Sequence, residues 1–321
     1  MLSENKKRDL RIVFMGTPDF AVAGLASLIE NDYNVVGVIT APDRPAGRGR
    51  KVQESAVKKY ALENDLMVMQ PVNLKNEDFL KELMLLDANL QIVVAFRMLP
   101  KAVWQMPEYG TFNLHASLLP QYRGAAPINW AIINGETETG VTTFFIDEKI
   151  DTGEVILQER IAIGADESAG ELHDKLMHLG AELILKTVIQ IENDTVELCK
   201  QTDGEVLKSA YKIYRETCEI DWNQSIEGIY NHIRGLSPYP VAWTTLNNEV
   251  EEIIIKIYKT AIKFENHGYK VGKVIVNRRH IKIAVTNGYI DLLEIQLPGK
   301  RRMKTQEVLN GFSISEDAYV R

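Results

Sequence analysis

Short apolar runs alternate with helical stretches over the first 160 residues. Arg11-Ile12-Val13-Phe14-Met15 reads as a buried strand and Asn34 to Ile39 as a second. Leu90 to Ala95, Thr111 to Leu114 and Gly140 to Ile146 read as three more. Between them, helical periodicity runs over Asp19 to Ile29, 53–64 and 76–87, and a long amphipathic helix spans Ala169 to Ile191. Pro18 is placed just inside the first helix, behind a Thr17 cap. Wholly apolar strands alternating with helices predict an α/β fold: a mostly parallel sheet covered on both faces.

The texture changes after Trp222. A helical stretch to Arg234 leads into Pro238-Tyr239-Pro240, then into five short alternating segments. These are Val241–Leu246, Ile253–Tyr258, Tyr269–Val276, Ile281–Val285 and Ile290–Leu297, with the hairpin signal Asn287-Gly288 between the last two. The pattern predicts a small β-barrel or sandwich. The linker is placed near 200–212, giving domains 1–206 and 207–321.

Charge sharpens that division. The whole chain of 321 residues carries a net −7. Residues 1–206 hold 20 Lys and Arg against 31 Asp and Glu, a balance of −11; residues 207–321 hold 17 against 13, or +4. An acidic front and a basic back suggest modules with different partners, although chance asymmetry would look the same. No apolar run approaches the ~20 residues that span a bilayer. The two cysteines, Cys199 and Cys218, form no disulfide framework and no metal spacing, so a reducing cytoplasm is the expected home.

The turn Gly16-Thr17-Pro18-Asp19 has one glycine where a dinucleotide fingerprint needs three, and no phosphate-binding glycine loop occurs elsewhere. His115 is the histidine with chemistry in reach. It ends a strand, and in open α/β sheets sites form at the carboxyl ends of strands. Asn113, two residues earlier, shares its face. An amide donor beside a titratable imidazole suits reaction at a carbonyl. Asp151, after the next strand, could orient the imidazole. The alternative is a buried, hydrogen-bonded histidine and an unrelated turn aspartate.

Two basic clusters stand out. The Pro- and Gly-rich stretch from Ala41 to Lys51 carries Arg44, Arg48, Arg50 and Lys51 in an otherwise acidic region, and its composition keeps it out of helix and sheet. Arg301 and Arg302 lie in the small domain, with Lys300 and Lys304. Either cluster could grip phosphates; either could be a solvated face.

The run Phe112-Asn113-Leu114-His115-Ala116-Ser117-Leu118-Leu119-Pro120-Gln121-Tyr122-Arg123-Gly124-Ala125-Ala126-Pro127-Ile128 closely resembles the signature of folate-dependent formyltransferases. Met15-Gly16-Thr17-Pro18-Asp19-Phe20 and Pro42-Asp43-Arg44-Pro45-Ala46-Gly47-Arg48-Gly49 narrow the likeness to the methionyl-tRNA formyltransferases. Ile220-Asp221-Trp222 and Pro238-Tyr239-Pro240 with Trp243 resemble that family's second domain. The resemblance implies a Rossmann-like formyltransferase domain followed by an OB-type barrel. It implies 10-formyltetrahydrofolate as co-substrate, without a metal, and initiator methionyl-tRNA as acceptor; a monomer is expected, although the sequence does not give the oligomeric state.

By the same resemblance Asn113, His115 and Asp151 form the catalytic trio, and Ser117, Leu118, Leu119 and Pro120 bind folate. Phe96, Arg97 and Met98 fall in the segment expected to line the pterin pocket, where the family commonly has one more residue and a glycine. Lys149 stands where the family frequently has glycine. The basic loop at 41–51 matches the family's insertion into the tRNA acceptor arm. Formyl transfer to a small amine and non-catalytic RNA binding are the competing readings; the second domain and the intact trio speak against them in turn.

Overall fold

The computed structural model describes residues 7–46, 51–202, 206–249 and 251–321. Seven strands build the first sheet: β1 (Arg11–Gly16), β2 (Asn34–Ile39), β3 (Val68–Met69), β4 (Leu90–Val94), β5 (Thr111–His115), β6 (Glu138–Phe145) and β7 (Val155–Ala162). Their spatial order is β7-β6-β5-β4-β1-β2-β3. The pairs β1/β2, β1/β4, β2/β3 and β4/β5 are parallel, and β5/β6 is antiparallel. The chain thus winds outward from β1 to β3, returns to β4 on the other side of β1, and winds the opposite way. That reversal opens a crevice between the carboxyl ends of β1 and β4.

All five residues of β4 and five of the six in β1 are buried, as strands covered on both faces must be. Strand β7 is not predicted, because only Ile156 in it is buried, its exposed positions alternate with half-buried ones, and it carries Gln158, Glu159 and Arg160. An edge strand with one open face tolerates such residues.

Helix starts follow their cap chemistry. Ser55 Oγ accepts from the Lys58 N–H at 3.0 Å ahead of Ala56–Glu63, and Asn76 Oδ1 accepts from Asp78 and Phe79 ahead of Glu77–Leu85. The helix Ala169–Glu192 opens on a reciprocal box: Ser168 N–H donates to Glu171 Oε2 at 2.8 Å, and Glu171 N–H to Ser168 Oγ at 3.3 Å. The first helix, Asp19–Glu30, corrects the sequence reading. Pro18 itself is the cap residue, and Thr17 does not cap.

The basic stretch is also corrected. Arg44–Ala46 pairs antiparallel with Lys51–Gln53, so part of it is sheet. Pro45 is tolerated because a two-stranded ribbon has free edges on both sides.

The barrel strands are β8 (Ala242–Asn248), β9 (Glu251–Phe264), β10 (Val274–Val276), β11 (Ile281–Val285), β12 (Gly288–Gln296) and β13 (Tyr319–Val320). Their order is β10-β11-β12-β9-β8-β13, each neighbouring pair antiparallel. The ring closes where Val320 N–H donates to Gly272 O at 2.8 Å and Val274 N–H to Ala318 O at 3.0 Å. Gly272 makes that closure feasible: its φ is +85°, and a Cβ there would sit 2.6 Å from Val320 O. It also ends the extended run predicted over Tyr269–Val276, leaving three residues in strand. The hairpin signal holds: Asn287 has φ 65° and Val285 pairs with Gly288. The architecture is a Rossmann-like domain with a mostly parallel sheet, followed by a nearly closed antiparallel barrel of the OB type.

Two compact units emerge from contacts. One comprises 1–123, 140–161 and 173–208; the other comprises 124–139, 162–172 and 209–321. Among the described residues no helix is long and apolar enough to cross a membrane.

The helix Ile226–Gly235, capped by Ser225, packs its apolar stripe of Ile226, Ile229 and Ile233 into the barrel-side core. It carries His232, whose Nε2 is buried without a hydrogen-bond partner among the described residues. Burial pushes this imidazole below its ordinary value of 6.5, while the Cys218 backbone acts weakly the other way. The folded state therefore favours the neutral ring, and its contribution to stability is present above the ordinary value and lost as pH falls through the folded one. Chemical denaturation at pH 7.5 and 5.5 should show a loss of stability on acidification that is smaller in His232→Gln.

Candidate active site

Strand β5 delivers Asn113 and His115 to the carboxyl edge of the sheet, one strand from the crevice. His115 is 7% exposed; Asn113 is half-buried, and among the described residues nothing hydrogen-bonds its amide. The His115 Nε2 lies 2.8 Å from the carbonyl oxygen of Tyr122. A carbonyl only accepts, so Nε2 carries the proton and Nδ1 carries the lone pair of the neutral ring. Nδ1 points toward Asp151, 3.9 Å from its Oδ2. A proton arriving at Nδ1 meets a carboxylate.

The Tyr122 carbonyl is placed by a turn held by hydrogen bonds. The Leu119–Pro120 bond is cis and Tyr122 is left-handed with φ 61°. Thr142 Oγ1 donates to Ser117 O at 2.6 Å and accepts from the Leu119 N–H at 3.2 Å. Ser117 Oγ donates to Gln121 O at 2.7 Å, and Gln158 Nε2 to Leu119 O at 2.8 Å. Tyr122 N–H donates to Lys208 O at 2.6 Å. Four of the six turn residues, Ser117, Leu119, Gln121 and Tyr122, are thus tied to β5, β6, β7 or Lys208.

Asp151 sits at the tip of the loop after β6, with φ 55°. Asp147 organises the approach: its Oδ1 accepts from Lys149 N–H at 2.9 Å and from Thr152 Oγ1 at 2.8 Å. Gly153 follows, and a Cβ there would lie 1.6 Å from Phe145 O, so no other residue fits. The left-handed position is Asp151 and not Lys149, which explains why lysine is accommodated where glycine is frequent.

Residues 10–188 match the model of the formyl transferase family, and 212–313 match that of the formyl transferase C-terminal domain. The chain is 60% identical to a methionyl-tRNA formyltransferase of Flavobacterium johnsoniae, over 97% of this chain and 99% of that protein. It is 48% identical to the corresponding protein of Porphyromonas gingivalis, over 98% and 99%. This chain belongs to the formyl transferase family. Among solved structures, an N-formyltransferase of Helicobacter canadensis in complex with folinic acid and dTDP-3-aminofucose superposes with a TM-score of 0.63 at 23% identity, covering 88% of this chain and 98% of that one. HypX of Aquifex aeolicus with tetrahydrofolic acid gives 0.64 at 16%, covering 94% and 47%. At these identities the likeness is one of fold.

The other predicted residues of this formyltransferase separate into groups. Leu119 is buried, Leu118 and Pro120 are half-buried, and Ser117 is wholly buried with its hydroxyl occupied. After β4 the chain turns through Ala95 at φ 46°; Phe96 then packs against the core formed by Val13, Ile39 and Val93, and Met98 is 73% exposed. Arg97 gives its guanidinium to backbone, with Nη1 2.8 Å from Val72 O and Nη2 on Pro71 O. Burial, and then the like charge of Arg44, hold Arg97 below its ordinary value.

Arg44 is exposed; the Lys51 backbone pairs in the ribbon; Arg48 and Arg50 lie outside the described residues. Arg301 pairs with Glu307 at 2.9 Å, and Arg302 Nε with Glu294 at 2.6 Å while stacking 4.6 Å over Tyr258. Such exposed pairs are weak, so both arginines could exchange a carboxylate for a phosphate.

Sequence reasoning missed Thr142, Gln158 and Gln201. Gln158 lies in the unpredicted edge strand, and Gln201 lies in what reads as linker. Neither has a local signal; their partners are 16 to 78 residues away.

Proposed function

We propose that this formyltransferase transfers a formyl group from 10-formyltetrahydrofolate to the α-amino group of methionine on initiator methionyl-tRNA, giving N-formylmethionyl-tRNA for translation initiation. The observation that carries the chemistry is His115 Nδ1 facing Asp151 at 3.9 Å, two residues along β5 from the Asn113 amide, which has no hydrogen-bond partner among the described residues. The acceptor is supported by near-full-length relatives named methionyl-tRNA formyltransferase.

The folate donor supplies a formyl group on an amine nitrogen. Ser117, Leu118, Leu119 and Pro120, with Phe96, Arg97 and Met98, would hold it. The fit is chemical: half-buried Leu118, Pro120 and Phe96 and exposed Met98 offer apolar surface, as a flat heteroaromatic ring requires. The methionine amine attacks the formyl carbon. Asn113 Nδ2 donates to the formyl oxygen as negative charge builds there. His115 accepts at Nδ1 the proton that the attacking amine loses, and Asp151 balances the charge of the ring; the bond from the formyl carbon to the folate nitrogen then breaks, and that nitrogen takes the proton and leaves as tetrahydrofolate.

The barrel-containing half, 207–321, supplies the basic surface for tRNA, with Arg301 and Arg302 on it. The loop carrying Arg44, Arg48, Arg50 and Lys51 reaches the acceptor arm. The like charge of Arg44 felt by Arg97 supports this for Arg44, which lies near enough to act on a residue of the proposed folate wall.

Purified, folded Asn113→Ala should lose about 10²–10³-fold in kcat on charged initiator tRNA, the typical cost of one oxyanion donor. His115→Ala and Asp151→Ala should be similarly impaired. The wild type should prefer initiator methionyl-tRNA over elongator methionyl-tRNA and over a small amine in the same assay. Near-normal turnover of Asn113→Ala, or preference for the small amine, contradicts the reading.

Arg44→Ala should raise KM for tRNA and flatten the salt dependence of binding by about one unit of log–log slope, the signature of one lost phosphate contact. Identical KM and slope across a salt series would make the loop a solvated surface.

A further inference from the structure

Gln201 uses its whole amide on the site without facing it. Its Nε2 donates to the carbonyl oxygens of Asp151 at 2.9 Å and Gly153 at 2.8 Å. Its Oε1 accepts from Arg123 Nε at 3.0 Å and Nη2 at 2.7 Å. Two donors and two lone pairs are therefore filled, which is the capacity of a side-chain amide. The segment that carries it is fixed two residues earlier: Cys199 and Val155 exchange both backbone hydrogen bonds, at 2.8 and 2.9 Å, so Cys199 forms an added rung beside β7.

The two ends of this amide meet the two halves of the catalytic pair. Arg123 directly follows Tyr122, whose carbonyl holds His115 Nε2. Asp151 is the residue facing His115 Nδ1. A ring of contacts results: His115 to Tyr122, along the chain to Arg123, across Gln201 to the Asp151 backbone, and from the Asp151 carboxylate back to His115. Thr152 and Lys149 tie the loop to Asp147, ahead of its tip. Gln201 is the side chain that bonds the carbonyl of Asp151 itself and the one two residues on.

We infer that Gln201 is a positioning residue: it sets the distance between the Asp151 carboxylate and His115 Nδ1 by gripping the loop backbone, with Arg123 as its anchor. The inference rests on the catalytic roles proposed for Asp151 and His115. Substrates are not touched, so the expected signature is a loss in kcat with little change in KM. Misplacement of a reacting group by about 1 Å costs on the order of 10²-fold.

Two substitutions separate gripping the loop from anchoring the arginine. Gln201→Ala removes both functions. Gln201→Glu is isosteric and keeps an acceptor for Arg123, now charge-assisted, but turns an oxygen toward the two carbonyls that need a donor. Both variants should show kcat lowered by about 10- to 100-fold, with KM for methionyl-tRNA and 10-formyltetrahydrofolate within about threefold of wild type and Gln201→Glu melting close to wild type. Amide hydrogen exchange over residues 147–154 should rise in Gln201→Glu and stay unchanged in the barrel; this readout holds whatever the acceptor. Wild-type kcat in Gln201→Glu, or unchanged exchange over 147–154, overturns the inference. An inactive wild type beside raised exchange in Gln201→Glu would instead remove the proposed function and leave the grip of Gln201 on the loop in place.

Discussion

The hydrogen bond from His115 Nε2 to the Tyr122 carbonyl is the contact on which the site turns. It is made to a group that cannot donate, so it decides which ring nitrogen holds the proton. It also decides what the opposite nitrogen faces, namely the Asp151 carboxylate at 3.9 Å. Were Tyr122 to present a donor there, the lone pair would be buried against backbone and the carboxylate would face an N–H with no proton to receive.

Much of the first domain can be understood as support for that one carbonyl and that one carboxylate. The left-handed Tyr122 turns the chain so that its carbonyl meets His115 on β5. Thr142 from β6 and Gln158 from β7 hold the bend from below. The antiparallel β5/β6 pairing matters here, because it runs the chain back past His115 before the loop after β6 delivers Asp151. Glycine at 153 lets that loop lie against the Phe145 carbonyl. Strands, turn and loop are each buried or hydrogen-bonded on their own account, and the proposed reaction borrows their rigidity.

The sheet and the site differed in how legible they were. Strands β1, β2, β4 and β5 announce themselves because burial on both faces permits only apolar residues. Asn113 and His115 stand out as polar interruptions at the end of such a strand, and the long motif around them carries the family. Strand β7 was invisible because half its side chains meet water, and the ribbon at Arg44–Ala46 because proline and glycine suggest loop. Strand β9 was predicted at less than half its length, since its later residues are held by pairing with Gly288 to Leu292 rather than by their own pattern. Gln201 had no legible signal: a glutamine in a polar connector acquires meaning only when Arg123 and the Asp151 loop are brought to it.

The most direct measurement of this account is the tautomer of His115, read from the ¹⁵N shifts and long-range ¹H–¹⁵N couplings of the imidazole at a pH where the ring is neutral. The account predicts a proton on Nε2 and an unprotonated Nδ1, with the Nε2 proton protected from exchange. A neutral ring protonated at Nδ1 would contradict it, because the nitrogen proposed to take the proton of the attacking amine would already be filled.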